Sequence, residues 1–156
     1  MDSNELIYQA IQMALENVKN GSGGPFGALV VKDGQIIATG TNRVTSTNDP
    51  TAHAEIAAIR SACSVLGHFE LTGCEIYCSC EPCPMCLGAI YWARPARVFF
   101  AATAEAAADA GFDDSFIKTQ ITLPYAQQQL PIKRVTHAEA LAPFNAWKAK
   151  PDKIAY

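Results

Sequence analysis

Residues 82 to 86 read Pro82-Cys83-Pro84-Met85-Cys86, which places two cysteines three positions apart at the predicted start of a helix. Residues three apart share one face of a helix, so both thiols point the same way. The positive end of the helix dipole is expected to lower the pKa of both thiols and to favour thiolates. The pair could be two zinc ligands or a redox dithiol, and Cys80 stands at the same spacing before Cys83.

A histidine upstream favours the metal over redox chemistry. The run Thr51-Ala52-His53-Ala54-Glu55 is predicted to open the preceding helix, and His53 can join Cys83 and Cys86 as a third zinc ligand. Three protein ligands leave the fourth tetrahedral position for water, which is the catalytic arrangement. A structural site would need a fourth protein ligand, and Cys78 or Cys80 could supply one.

Glu55 is the residue that most strongly suggests catalysis. From the first helical turn its long side chain can reach a water on the metal, although the helix dipole alone also favours a carboxylate there. Zinc lowers the pKa of bound water, but two thiolates blunt that effect, so a neighbouring base is needed to take the proton. H-x-E followed by P-C-x-x-C is the signature of zinc-dependent nucleobase deaminases.

The rest of the chain alternates strands and helices. The predicted inner face of a first helix is formed by Ile7, Ile11, Ala14 and Val18. An Asp33-Gly34 turn predicts a hairpin between strands at 28–31 and 36–39. Further helices are predicted from Pro50 to about Ser64, after Pro82 and over 138–148, with buried strands at 75–78 and 98–100. This order implies one α/β domain over residues 1–156, a three-layer α/β/α sandwich with a central mixed sheet.

Composition limits the possible functions. The 156 residues are 49% hydrophobic and 17% charged, which excludes a disordered or fibrous chain. A net charge of -3 argues against a partner with a phosphate backbone. No apolar run approaches a membrane span and the first residues are acidic and polar, so we expect a cytoplasmic protein with no membrane partner. Four of the six cysteines cluster at 78–86, which favours metal or catalytic work over disulfides.

The two motifs and their flanks, residues 48–55 and 79–90, resemble the cytidine deaminase superfamily. Within it, the chain is similar to the small zinc-dependent guanine deaminases of bacteria, and the similarity continues through 91–95 and 111–116 to Tyr156. The resemblance implies a cytidine deaminase-like fold and one zinc ion per chain, held by His53, Cys83 and Cys86 with water as the fourth ligand. Cys80 belongs to the family pattern without being a ligand.

The resemblance also implies which residues bind the substrate. Phe26 would stack on the base, Asn42 would offer its amide to ring atoms, and Asp114 would bind the base and act as a second catalytic group beside Glu55. Asp113 is adjacent, so the sequence leaves open which of the two aspartates faces the substrate. The full set of implied substrate residues is Phe26, Asn42, Ala54, Asp114 and Tyr156.

The implied reaction is hydrolytic deamination of guanine to xanthine and ammonia, in which hydroxide on the zinc attacks the amino-bearing ring carbon and Glu55 moves the protons. A tRNA adenosine deaminase, or a deaminase of guanosine, cytosine or a pterin, is the alternative. The implied partners are a small purine base and a second copy of the chain, with a C-terminal segment of about 138–156 exchanged between subunits. A structural zinc module or a thiol redox protein would leave Glu55 unexplained.

Overall fold

The computed structural model describes residues 1–156. Contacts between residues divide the chain into two compact units, Met1–Ser115 and Phe116–Tyr156. None of the helices is at once long enough and apolar enough to cross a membrane. The first unit holds the whole sheet.

The sheet has four strands in the order β2-β1-β3-β4. They are β1 (Gly27–Lys32), β2 (Gln35–Thr41), β3 (Cys74–Cys80) and β4 (Arg97–Ala102). Strand β1 pairs antiparallel with both β2 and β3, whereas β3 and β4 run parallel. The predicted mixed sheet is therefore confirmed.

The predicted hairpin between β1 and β2 is also confirmed, and two residues are enough to form its turn. Asp33 and Gly34 both have positive φ, 50° and 74°, as a two-residue turn of this kind requires. Glycine adopts that conformation without strain, and aspartate tolerates it better than most residues. The turn thus sets the pairing of Lys32 with Gln35 from local sequence alone.

Helices cover both faces of the sheet, which gives the three layers. In chain order the helices of the first unit are α1 (Ser3–Lys19), α2 (Val44–Thr47), α3 (Ala54–Leu66), α4 (Pro84–Ala93) and α5 (Ala104–Asp109). Residues along a strand alternate between faces. Accordingly Val30 and Ile76 pack in the cluster that contains residues of α3 and α4, while Leu29 and Tyr77 pack in the cluster that contains residues of α1.

The helices pack through small residues, which corrects the predicted inner face of α1. In α1, Ile11 and Val18 are exposed, and the buried positions are Leu6, Ala10, Ala14 and Asn17. The cause is a close backbone approach: a Cβ added at Gly27 of β1 would lie 2.5 Å from the carbonyl oxygen of Ala10. A side chain larger than alanine would not fit in that contact, so the interior follows the alanines.

Helix α3 approaches β2 in the same way. A Cβ added at Gly40 would lie 2.2 Å from the carbonyl oxygen of Ala54 and 2.5 Å from the amide nitrogen of Ala58. The predicted start of this helix at Pro50 is wrong: residues 44–47 form α2, residues 48–53 form the turn after it, and α3 begins at Ala54. In that turn the Asp49 carboxylate accepts a hydrogen bond from the Thr51 amide at 2.8 Å.

Strand β4 is more open than predicted. The sequence predicts a buried strand at 98–100, but Phe100 is exposed, Val98 and Phe99 are only half-buried, and no residue after Ala93 is buried. Strand β4 lies at the edge of the sheet with no strand beyond it.

The second unit consists of short helices. Helix α6 spans Ser115–Ile121 at its start, and two 3-10 turns cover Tyr125–Gln127 and Ala138–Leu141. Helix α7 spans Ala142–Ala149. The final helix predicted at 138–148 therefore exists, with its first turn in 3-10 form. None of residues 116–156 is buried.

Candidate active site

Two helix starts bring the predicted metal ligands together. His53 is the N-cap residue of α3, and Cys83 is the N-cap residue of α4. Pro84 follows as the first residue of α4, where its missing amide proton and fixed φ cost nothing. Cys86 lies in the first turn of the same helix and is fully buried.

The three side chains form the one group in the chain with metal-ligand geometry. Their ligand atoms all lie within 4.8 Å of one another. Nδ1 of His53 stands 3.5 Å from the Cys83 sulfur and 3.4 Å from the Cys86 sulfur. Sulfur and nitrogen ligands on a tetrahedral zinc are about 3.6 Å apart, from bond lengths of about 2.3 and 2.05 Å. The arrangement therefore fits zinc, with Nδ1 as the histidine ligand.

Without a metal, the pKa values of the two thiols are shifted in opposite directions. The Cys86 thiol, by hydrogen bonding to Cys83, holds the pKa of Cys83 at about 4, and His53 adds a second hydrogen bond. The same bond to Cys83, followed by burial, raises the pKa of Cys86. The helix dipole was predicted to lower both pKa values, whereas in this metal-free arrangement only that of Cys83 is lowered. The bond to Cys83 also raises the pKa of His53.

Glu55 lies against this group without belonging to it. Its side chain is 7% exposed, and Oε2 accepts a hydrogen bond from the Cys86 thiol at 3.5 Å. Burial raises the pKa of this carboxyl above its ordinary value. A carboxyl with a raised pKa next to a metal site is suited to taking up a proton and returning it.

The other cysteines stay outside the metal group. Cys78 and Cys80 are buried, and burial raises the pKa of both thiols. Cys80 donates to the carbonyl oxygen of Thr103 at 3.7 Å. Neither joins His53, Cys83 and Cys86, so the three-ligand arrangement has no fourth protein ligand among them. All six cysteines are free thiols.

Two of the predicted substrate residues, Phe26 and Asn42, both lie next to Gly24. A Cβ added at Gly24 would be 3.4 Å from the Phe26 ring and 3.5 Å from Cγ of Asn42. Oδ1 of Asn42 accepts hydrogen bonds from the amides of Gly24 and Val44, both at 3.2 Å. Because the side-chain oxygen already has two donors, Asn42 has its N–H groups left for a ligand.

The remaining predicted substrate residues have different surroundings. Ala54 is buried as the first residue of α3, between His53 and Glu55. Asp114 is half-buried, whereas Asp113 is exposed and accepts a hydrogen bond from the Ser115 amide at 2.9 Å.

Tyr156 lies in the second unit and is 72% exposed. Its role in closing the pocket stays a prediction.

Two residues next to the site were not singled out by the sequence. The ring of Phe112 meets Phe26 edge-on, with centroids 5.0 Å apart at 87°. The Glu81 carboxylate accepts a hydrogen bond from the Ala104 amide at 2.8 Å, which links the loop before Cys83 to the start of α5. Phe112 follows Gly111 in a loop next to Asp113 and Asp114, which is a sequence signal for it, but a glutamate between a cysteine and a proline carries none for Glu81.

Comparison with known proteins matches the chain to a family model and to a relative over its full length. The family model described as "Cytidine and deoxycytidylate deaminase zinc-binding region" matches residues 1–102. The chain is 55% identical to the guanine deaminase of Bacillus subtilis over 156 residues, which is all of both proteins. The X-ray structure of that protein superimposes with a TM-score of 0.98 and covers 100% of this chain and 99% of its own.

More distant relatives match only part of the chain. A tRNA-specific adenosine deaminase of Agrobacterium fabrum is 50% identical over 78 residues, half of this chain and 51% of its own length. The structure of a guanine deaminase from Nitrosomonas europaea has a TM-score of 0.67 at 34% identity, with 70% of this chain and 63% of the other covered.

Proposed function

The chain belongs to the family that carries the cytidine and deoxycytidylate deaminase zinc-binding region, and we propose that it catalyses the hydrolytic deamination of guanine to xanthine and ammonia. The observation that carries this proposal is the identity of 55% over the full length of both chains with the guanine deaminase of Bacillus subtilis. The match with the tRNA-specific adenosine deaminase stops at half of each chain. The zinc-binding region of the family spans residues 1–102, and the match with the guanine deaminase continues beyond it to the end of both chains, which favours a free base.

His53, Cys83 and Cys86 would hold the zinc ion. When bound, zinc supplies Lewis acidity that lowers the pKa of water to near neutrality. Glu55 takes the proton that the attacking water loses and passes it to a ring nitrogen of guanine. It then helps the amino group leave as ammonia, so that guanine and water balance xanthine and ammonia. The burial of Glu55 keeps bulk water from competing for that proton.

Substrate binding is assigned to the residues around Gly24 and to the loop before α6. The Phe26 ring offers a flat apolar face for stacking, and Asn42 offers N–H donors to the edge of the base. The half-buried Asp114 would accept hydrogen bonds from the base, whereas the exposed Asp113 already accepts one from the Ser115 amide. Ala54 would line the pocket between the metal ligand and Glu55.

We also propose a homodimer that exchanges C-terminal segments, with Tyr156 closing the partner's pocket. Helix α4 leaves Tyr91 76% and Trp92 64% exposed, an aromatic surface that a second copy could cover. No residue of 116–156 is buried, so the second unit has no core of its own and would gain stability by packing on another chain. Free thiols at all six cysteines favour a reducing, cytoplasmic location.

The test is an ultraviolet and ammonia-release assay of the zinc-loaded protein on guanine, guanosine, adenosine, cytosine, a pterin and a tRNA anticodon stem-loop. We expect guanine to be the best substrate by kcat/KM. A preference for the stem-loop would replace the proposal with the tRNA activity.

Matched variants separate the metal ligands from the proton carrier. Glu55→Gln has the same size, so it should keep one zinc per chain and lose about 10²–10⁴-fold in kcat, the usual contribution of general acid–base transfer. Cys83→Ala and His53→Ala should lose the metal itself. Loss of zinc from a folded Glu55→Gln protein would contradict the role given to Glu55.

A further inference from the structure

Asn17 is a buried polar residue that the reaction does not use directly. It lies near the end of α1, on the face that packs against the sheet, and is 3% exposed. Its side-chain NH2 group donates to the carbonyl oxygen of Gly24 at 2.8 Å and to that of Asn42 at 2.9 Å. The backbone carbonyl oxygen of Asn17 accepts a hydrogen bond from the Ser22 amide at 3.1 Å. One residue thus holds the glycine-containing loop of residues 21–25 at two points and the residue after β2 at a third.

Gly24 connects this anchor to the two residues proposed to bind the base. Its amide donates to Oδ1 of Asn42 at 3.2 Å, and its carbonyl oxygen accepts from the Phe26 amide at 2.9 Å as well as from Asn17. The loop backbone also lies directly against that of Asn42, because a Cβ at Gly23 would lie 2.1 Å from the carbonyl oxygen of Asn42. The position of Gly24 therefore sets the distance between the Phe26 ring and the Asn42 amide.

The chemistry of the contact requires an amide at position 17. Both acceptors are carbonyl oxygens, and asparagine is the small side chain with two N–H donors on one nitrogen. An aspartate there would set a carboxylate against two carbonyl oxygens, and an apolar residue would leave both oxygens without these donors.

We propose that Asn17 is a positioning residue for substrate. By holding Gly24 and the backbone of Asn42, it fixes a slot in which a flat heteroaromatic base lies on the Phe26 ring and presents acceptor atoms to the Asn42 N–H groups. This inference rests on the proposed function for the identity of the base. Under this proposal, α1 determines the width of the slot and the orientation of the Asn42 N–H donors, although α1 carries none of the residues proposed to touch substrate.

The kinetic test compares Asn17→Ala with Asn17→Ser and with Leu6→Ala. Asn17→Ala should raise KM for guanine about tenfold, the value of roughly one hydrogen bond, and change kcat by less than about threefold. Asn17→Ser, which keeps one donor and alters the packing less, should fall between Asn17→Ala and the wild type. Leu6→Ala weakens the packing of the same helix face away from the loop, and it should leave KM unchanged.

A double-mutant cycle with Asn42→Ala tests whether Asn17 acts through Asn42. In the Asn42→Ala background, Asn17→Ala should change KM by no more than about twofold, because the donor that it positions is already gone. Equal effects in both backgrounds, an unchanged KM in Asn17→Ala and Asn17→Ser, or an equal rise in Leu6→Ala would overturn the inference.

A measurement without turnover keeps the inference separate from the proposed function. The side-chain amide signals of Asn42 in the nitrogen–proton correlation spectrum of the ligand-free, zinc-loaded protein should shift or broaden in Asn17→Ala and stay in place in Leu6→Ala. Unmoved signals in Asn17→Ala would refute the positioning role whether or not guanine is the substrate. A wild-type protein inactive on guanine whose Asn42 signals still move would refute the substrate and leave Asn17 as the positioning residue.

Discussion

Replacing Gly40 by alanine should damage the active site from a distance. The added Cβ would lie 2.2 Å from the carbonyl oxygen of Ala54 and 2.5 Å from the amide nitrogen of Ala58. Those atoms belong to the backbone of α3 and cannot rotate away, so the first turn of the helix must move by about 1 Å to restore van der Waals contact. That turn carries Glu55 and follows His53.

The expected cost can be divided between stability and rate. Overpacking of this kind costs about 3 kcal/mol, near the upper end of its usual range. For a domain of this size that corresponds to a fall of about 10 °C in the melting temperature. A displacement of about 1 Å at catalytic groups can cost about 10²-fold in rate, so kcat/KM for guanine should fall by that order.

Gly88→Ala supplies the matched control. Gly88 lies in α4, two residues after Cys86, and a Cβ there meets nothing within 4 Å. Alanine is the better helix former, so this variant should be about 0.5–1 kcal/mol more stable and fully active. The assays are thermal unfolding, zinc content and steady-state kinetics on both variants. If Gly40→Ala behaves like Gly88→Ala, the close contact between β2 and α3 does not hold the site in place.

Three further predictions concern the loop before α6, the tail and the metal. Asp114→Ala should lower kcat/KM for guanine at least about tenfold while Asp113→Ala stays near the wild type, because Asp113 is occupied by Ser115; equal small effects would make this loop ordinary surface. Deletion of 151–156 should cut activity and retain zinc, and refolding tail-deleted chains together with full-length Glu55→Ala chains should restore activity in mixed dimers. Confirmed mixed dimers without recovery would contradict the exchange of segments. Removal of zinc by a chelator should abolish turnover and lower the melting temperature, since a ligand at about 1,000 times its Kd stabilises by about 4 kcal/mol; an unchanged melting temperature would argue against a bound metal.

The parts of the fold that follow local rules could be predicted from the sequence. The hairpin depends on Asp33-Gly34, and the start of α4 depends on Pro84, so each is set by residues within a few positions. The inner face of α1 could not be predicted in this way, because hydrophobicity favours Ile11 over Ala10. The close approach of β1 at Gly27 reverses that preference, and it involves residues far apart in the chain.

The candidate site shows the same division. The spacing of the motifs indicated His53, Cys83 and Cys86 because zinc ligands leave a pattern of residue types. The nitrogen of His53 that faces the sulfurs depends on the ring's orientation at the helix start, which spacing does not contain. Asn17 left no pattern either, since its partners are backbone carbonyl oxygens, which every residue possesses.

At position 53, substitutions that raise thermal stability are expected to remove activity. At the N-cap of α3 its side chain makes no capping hydrogen bond, and its ring nitrogen faces the two sulfurs instead. Serine or aspartate at that position typically stabilises a helix by about 1 kcal/mol relative to a residue that cannot cap. A library sorted for heat resistance alone in zinc-poor medium would therefore enrich serine or aspartate at position 53 and discard the metal. Laboratory evolution of this enzyme in zinc-poor medium must score turnover in every round, because without the metal the more stable chain at this position is an inactive one.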